Sequence, residues 1–351
     1  MIIAVLSHKE VFISGGSRRF FRFSSRCQRW PIFVGLTGAF RVAGTGLSVA
    51  TCAALANKPV IMTDQKTLVA ELVELLSVDS TAPDLWRGTR KRGGMGRVYG
   101  GQVIAQGLMA AQQTVSSQRV AHSLHAYFMR AGSEDHEIHY RIERDFDGGS
   151  FSTRRIIALQ EGKPILNMAA SFQKLEGGFE HSATMPDVPP PESLRNEDQL
   201  REAFVDQIPE AMRANFIRDR PIDYRPVDPR DWLGNTPKDP SQNIWFRLAA
   251  PIGDDPAMHR AVLAYASDSY LLGTTALPHG IAWGTPGFMM ASLDHALWLH
   301  DDFRTDDWLL FSCDSPWAGR GRGFNRGNIW SRDGRLVASV AQEGLMRMRQ
   351  S

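Results

Sequence analysis

One pattern occurs twice in this chain, and it limits the possible folds more than any other feature does. His125-Ala126-Tyr127-Phe128 is echoed by His295-Ala296-Leu297-Trp298, Gly149-Ser150-Phe151 by Arg322-Gly323-Phe324, and Glu161-Gly162-Lys163 by Asp333-Gly334-Arg335. The three matches keep their order, which points to duplication of one supersecondary unit. A chain of 351 residues has room for two such units and for the cores they need.

Each unit reads as a long apolar helix followed by antiparallel strands. In the first, Ile104, Leu108, Ala111 and Val115 recur at helical spacing within Gln102 to Val115. Gly100-Gly101 stands just before, where the backbone can turn tightly and approach another group. Ile138, Tyr140 and Ile142 alternate with His139, Arg141 and Glu143 as a half-buried strand does. Strands over Phe151 to Leu159 and Pro164 to Phe172 follow, with turns at Asp147-Gly148-Gly149 and Glu161-Gly162. The second unit offers a strand over Trp245 to Leu248, a helix over Met258 to Leu272 and a strand over Met289 to Leu299. Further strands cover Trp308 to Cys313, Phe324 to Ser331 and Leu336 to Met346, the last two joined at Asp333-Gly334.

Between the units, Pro186 and Pro189-Pro190-Pro191 open a linker that runs to about Asn243 and carries one helix over Gln199 to Phe216. A helix that is apolar nearly all round must be wrapped, and a curled antiparallel sheet can wrap it. That is the hotdog arrangement. Two copies set side by side hide one sheet edge each, so the expected class is α+β, a double hotdog. Its repeats are expected at 62–185 and 244–351, with the linker at 186–243.

The first 61 residues differ in texture. Arg18, Arg19, Arg22, Arg26, Arg29, Arg41, Lys9 and Lys58 face one acid, Glu10. Such Arg- and Ser-rich composition is that of an organelle transit peptide. Ser17-Arg18-Arg19-Phe20-Phe21 resembles a twin-arginine signal, but Arg26, Arg29 and Arg41 interrupt the apolar run that should follow. Val42 to Ala56 falls short of the roughly 20 residues that span a bilayer. Ordinary composition starts at Met62-Thr63-Asp64, with Leu68, Leu72, Leu75 and Leu76 at helical spacing. Met62 is therefore the expected natural start, and the stretch before it an extension without fixed structure.

Hydrophobic content of 43% is ordinary for a globular protein, and a net charge of +2 with no basic stripe speaks against nucleic-acid binding. Cys27, Cys52 and Cys313 are too far apart for a zinc knuckle or a disulfide framework. Free thiols in a reducing compartment, the cytoplasm, are expected, with no metal, no cofactor and no membrane anchor.

Asp268 is the one charge in the apolar run from Ala261 to Leu272. An ionised carboxylate on a wrapped helix is costly unless paired, and such groups are candidate bases. A cap or a solvent-facing kink explains it as well. Strand alternation turns either Gln342 or Glu343 inward, and a buried Gln needs partners at both ends of its amide; by itself Gln342 reads as a structural hydrogen-bonder. Ser292 carries less signal still. His125 and His295, at matching repeat positions, read as a structural hydrogen bond in each unit. Arg320, Arg322 and Arg326 flank a glycine-rich bend and suit either phosphate contacts or a solvated basic loop.

From about Met62 to Arg349 the chain resembles the acyl-CoA thioesterase II family. The resemblance lies in Val98-Tyr99-Gly100-Gly101-Gln102, His122-Ser123-Leu124-His125-Ala126-Tyr127-Phe128, Phe179-Glu180-His181 and Ala264-Tyr265-Ala266-Ser267-Asp268. It continues through Pro278-His279-Gly280, Asp294-His295 with Trp298, and Val340-Ala341-Gln342-Glu343-Gly344. It implies a double hotdog that hydrolyses acyl-CoA and assembles into dimers or larger homo-oligomers. It also implies a catalytic set of helix Asp, strand Thr or Ser, and last-strand Gln, here Asp268, Ser292 and Gln342. Ser292 departs from the commoner Thr; the hydroxyl is kept, with more freedom at its first torsion. Gly101 and Arg322-Gly323-Phe324 are the candidates for substrate contact.

Other chemistries fit poorly. Gly148-Gly149-Ser150-Phe151-Ser152 lacks the last glycine of a nucleophile elbow, and Gly94-Met95-Gly96 is no dinucleotide fingerprint. A hotdog enoyl-CoA hydratase would want a His shortly after the helix Asp, where Gly273 stands, and the first His after Asp268 is His279. A non-catalytic acyl-CoA sensor is the other alternative, distinguished by binding without turnover.

Overall fold

In the computed structural model, which describes residues 64–349 apart from 92–95, 231, 233–235 and 283–284, the elements follow the order expected of a repeat. The first run is α1 (Gln65–Leu76), β1 (Val78–Ala82), β2 (Leu85–Gly88), α2 (Gly100–Gln112), β3 (Arg119–Phe128), β4 (Ile138–Asp147), β5 (Phe151–Gln160) and β6 (Lys163–Lys174). The connecting stretch carries α3 (Glu197–Phe204), α4 (Glu210–Phe216) and β7 (Ile222–Pro226). The second run is β8 (Ser241–Leu248), α5 (Pro256–Ser267), β9 (Phe288–Ser292), β10 (Asp294–Leu299), β11 (Leu309–Gly319), β12 (Arg322–Ser331) and β13 (Leu336–Met348). The N-terminal extension expected over 1–61 lies outside the described residues.

Burial explains why the two apolar helices form. Ten of the 13 residues of α2 and nine of the 12 of α5 are buried, so neither helix has a wet face. Both are enclosed by one 13-stranded antiparallel sheet in the order β1-β2-β4-β5-β6-β3-β10-β13-β12-β11-β8-β7, with β9 also paired to β13. The halves meet where β3 pairs with β10, Ala126 opposite His295 and His125 opposite Ala296. Each hotdog thereby hides one edge of the other. Among the described residues no helix is long and apolar enough to cross a membrane.

Four sequence expectations change. The helix expected over Met258 to Leu272 ends at Ser267, with Asp268 as its C-cap, and a 3₁₀ helix follows over Leu272–His279. The helix expected over Gln199 to Phe216 is split in two, with Pro209 at the N-cap of α4, a residue that cannot continue the preceding turn. The strand expected over Met289 to Leu299 is broken at Leu293 into β9 and β10. Finally, His125 and His295 are not equivalent. Directly opposed residues share a face, so His295 faces inward with Ala126, whereas His125 is exposed and stacks edge-on with Trp298 at 5.0 Å. The apparent sequence match is one residue out of phase, and one residue reverses the face of a strand.

Candidate active site

The break at Leu293 organises the site. In an unbroken strand, residues 292 and 295 would point to opposite faces. Here β9 and β10 pair with successive stretches of β13: Ala296 to Leu299 lie opposite Ala338 to Ala341, and Phe288 to Ser292 opposite Gly344 to Met348. Leu293 bridges the gap, its N–H donating to Glu343 O (2.9 Å) and its carbonyl accepting from Phe128 N (2.9 Å). Asp294 Oδ1 accepts from Glu343 N at 2.7 Å. The extra residue turns both Ser292 and His295 toward the helices, beside Gln342. Bulges that re-aim a side chain in this way are common next to active sites.

Gln342, fully buried on β13, donates from Nε2 to Asp268 Oδ1 at 2.6 Å, and the same nitrogen lies 3.1 Å from Ser292 Oγ. Ser292 Oγ lies 3.5 Å from the same carboxylate oxygen. The other oxygen, Oδ2, accepts from Gly101 N at 2.9 Å. That last contact explains the paired glycines. A Cβ on Gly100 would stand 2.8 Å from Asp268 Oδ2, and one on Gly101 would overlap the carbonyl of Tyr265. The first turn of α2 thus reaches across from the first repeat to a carboxylate of the second.

Two helix ends act on that carboxylate. As the C-cap of α5, Asp268 meets the negative end of one dipole, while the α2 N-terminus brings the positive end of the other. Burial pushes its pKa up to about 6; the Gln342, Gly101 and Ser292 hydrogen bonds oppose the rise. Tyr99 O–H donates to Tyr265 O (2.9 Å) and lies 2.9 Å from Ser269 Oγ, which also accepts from Tyr224 O–H (2.9 Å), pinning the turn that follows Asp268. Beyond it, Leu272 and Thr275 of the 3₁₀ helix pack onto Gly344 and Gly323, which are opposed across β12 and β13.

Of the residues singled out in the sequence, Asp268, Ser292, Gln342 and Gly101 converge. Gly323 lies under Thr275, beside the group. Arg322 and Phe324 alternate with it and occupy the other face, where Arg322 pairs with Glu343 (3.3 Å). Arg326 pairs with Asp314 (2.8 Å), and Arg320 sits in the β11–β12 hairpin turn with φ 50°. Two buried residues were not foreseen at the site. His295 places Nδ1 3.2 Å from Gln342 Nε2 and Nε2 2.9 Å from Ser267 Oγ. Asn325 is opposed to Gln342 across β12 and β13. Strand alternation puts Asn325 on the Gln342 face and was the signal available for it. A cavity of about 680 Å³ lies against the turn that follows Asp268, lined by Tyr99, Tyr265 and Ser269 together with Arg97, Arg218 and Arg230.

Comparison with known proteins agrees with this architecture. Residues 89–173 match the family profile described as acyl-CoA thioesterase N-terminal domain, and residues 186–346 its C-terminal counterpart. The chain is 39% identical to human acyl-coenzyme A thioesterase 8 over 78% of its own length and 88% of that protein. It is 34% identical to acyl-CoA thioesterase 2 of Haemophilus influenzae, over 80% of this chain and 98% of that one. Among solved structures it is similar to the acyl-CoA thioesterase II TesB2 from Mycobacterium marinum, with a TM-score of 0.65 and 38% identity, covering 79% of this chain and 98% of that one.

Proposed function

Because the chain belongs to the acyl-CoA thioesterase family, we propose that it hydrolyses acyl-CoA thioesters to a carboxylic acid and coenzyme A, with Asp268, Ser292 and Gln342 as its catalytic set. One observation supports the site above others: a buried carboxylate lies within 2.6 Å of an amide N–H donor and 3.5 Å of a hydroxyl. Water is held between Asp268 and Ser292, with Gln342 fixing the geometry. Its oxygen attacks the thioester carbonyl carbon while Asp268 takes a proton. The tetrahedral adduct then breaks its C–S bond, and the thiolate departs as the CoA thiol after protonation. No acyl-enzyme is formed. The adjoining cavity takes part of the substrate, and Arg97, Arg218 and Arg230 suit the CoA phosphates.

Thiol release from a series of acyl-CoA chain lengths tests this reading. Wild type is expected to turn over at least one chain length, and Asp268→Ala to lose about 10²-fold or more. Saturable binding without release across the series points instead to a sensor.

We also propose that residues 62–185 and 244–351 are the two repeats and that two or more copies associate. In support of association, the face away from the helices sets the small residues Ala169, Ala296 and Ala341 in one row with His125 across four strands. A chain starting at Met62 is expected to keep wild-type kcat/KM and to sediment as a dimer or larger; loss of activity, or a monomer, contradicts this. Cytoplasmic residence, proposed from cysteine usage, is checked by cell fractionation.

A further inference from the structure

Gln342 serves this chemistry with only one end of its amide toward Asp268. Turned over, it would set a carbonyl oxygen against a carboxylate. The Ser292 hydroxyl does not fix the choice, because it can donate or accept. His295 does fix it. Ser267 Oγ donates to Ala264 O at 3.0 Å and lies 2.9 Å from His295 Nε2. With its proton committed to the helix carbonyl, Ser267 can only accept from the ring, so Nε2 carries the imidazole hydrogen. The Nδ1 of a neutral ring is then bare, and it faces Gln342 Nε2 at 3.2 Å.

We infer that His295 is a positioning residue: the relay from the Ala264 carbonyl through the Ser267 hydroxyl to the imidazole makes Nδ1 an acceptor for one Gln342 N–H and leaves the other to Asp268, with Ser292 alongside. This rests on the hydrolytic reading of those three residues. The relay is fully enclosed, with Ser267 and His295 both at 0% exposure. Burial drives the His295 pKa down to about 3, so the ring stays neutral across the working range. Asp268 is the acid in contact with the amide, while neighbouring Asp294 accepts from Glu343 N and Glu343 pairs with Arg322, and burial keeps Tyr99 and Tyr265, which feel the Asp268 charge, in their neutral forms. The Gln342 hydrogen bond favours ionised Asp268, so an amide free to turn over lets the carboxyl pKa rise.

Three substitutions separate positioning from mere packing. His295→Asn keeps an acceptor where Nδ1 stood, His295→Gln puts an amide where Nε2 stood, and Ser267→Ala removes the relay's anchor. His295→Gln is expected to lower kcat about tenfold with KM little changed. Its acid limb of kcat/KM should move upward by about half a pH unit or more. Ser267→Ala should follow in the same direction by less, and His295→Asn should stay near wild type. Equal loss in the Asn and Gln variants, or an acid limb that stays in place in His295→Gln and Ser267→Ala, overturns the inference. Histidine ¹⁵N NMR of the wild type reads the tautomer without reference to activity or to any variant's folding, with His295→Asn assigning the signal. The Nε2–H form, uncharged at pH 5, is expected; an Nδ1–H form overturns the inference, whereas absence of turnover in wild type overturns the hydrolytic reading instead.

Discussion

A carboxylate must be ionised to accept a proton from water, and Asp268 achieves this only above about pH 6, where burial has moved its pKa. Activity that depends on the basic form falls as pH drops through that value. The kcat/KM profile is therefore expected to show an acid limb near pH 6, a prediction that a limb near 4 would contradict. The same shift has a stability consequence of opposite sense. Because the folded carboxyl binds its proton more tightly than an unfolded one, Asp268 destabilises the fold progressively as pH rises from about 4 to 6. At this scale the sequence was partly legible. Asp268 stands out as a charge in apolar surroundings and Gly100-Gly101 as a place of close approach, whereas alternation alone leaves Gln342 and Glu343 undecided. Ser292 was legible only through family resemblance, since a lone serine near a strand carries little signal. His295 makes the structural hydrogen bond expected of it, whereas His125 does not, because the repeat match that pairs them is one residue out of phase.

Elements bring these residues together through two devices, and the sequence displays them unequally. The break at Leu293 was not legible: Met289 to Leu299 reads as one run, and only the pairing of both pieces with β13 reveals the extra residue. The short strands β1, β2 and β7, four or five residues long, were missed too, having too few residues for alternation to register, and the ten-residue β3 was also not read as a strand. The long helices were legible from sustained helical spacing, and the hairpins from glycine turns set between apolar runs. The second device is the glycine pair Gly323 and Gly344, which lets the 3₁₀ helix sit down on the sheet. A side chain at 344 must displace Leu272, four residues beyond Asp268. Gly344→Val is expected to cost about 1–3 kcal/mol in urea unfolding and to lower kcat, because the displaced segment carries the carboxylate's own turn. Full stability and full activity in that variant would show that the close packing is dispensable.

Over the whole molecule, duplication supplied two enclosed helices, but the proposed chemistry is asymmetric. Asp268, Ser292 and Gln342 belong to the second repeat, while the first lends the Gly101 N–H and the β3 edge on which β10 lies. The duplication itself was legible in preserved motif order, whereas the joining register of β3 and β10 was not, because sequence similarity does not count strand phase. The central claim concerns the reaction that this joint site performs: water attacks the thioester directly, with Asp268 as base and not as nucleophile. Single-turnover hydrolysis in ¹⁸O-labelled water, with enzyme in excess over acyl-CoA, tests it most directly. The account predicts label in the released acid and none in the peptide that carries Asp268. Label in that peptide, or an unlabelled acid, would mean that the carboxylate had formed an acyl bond, and would contradict it.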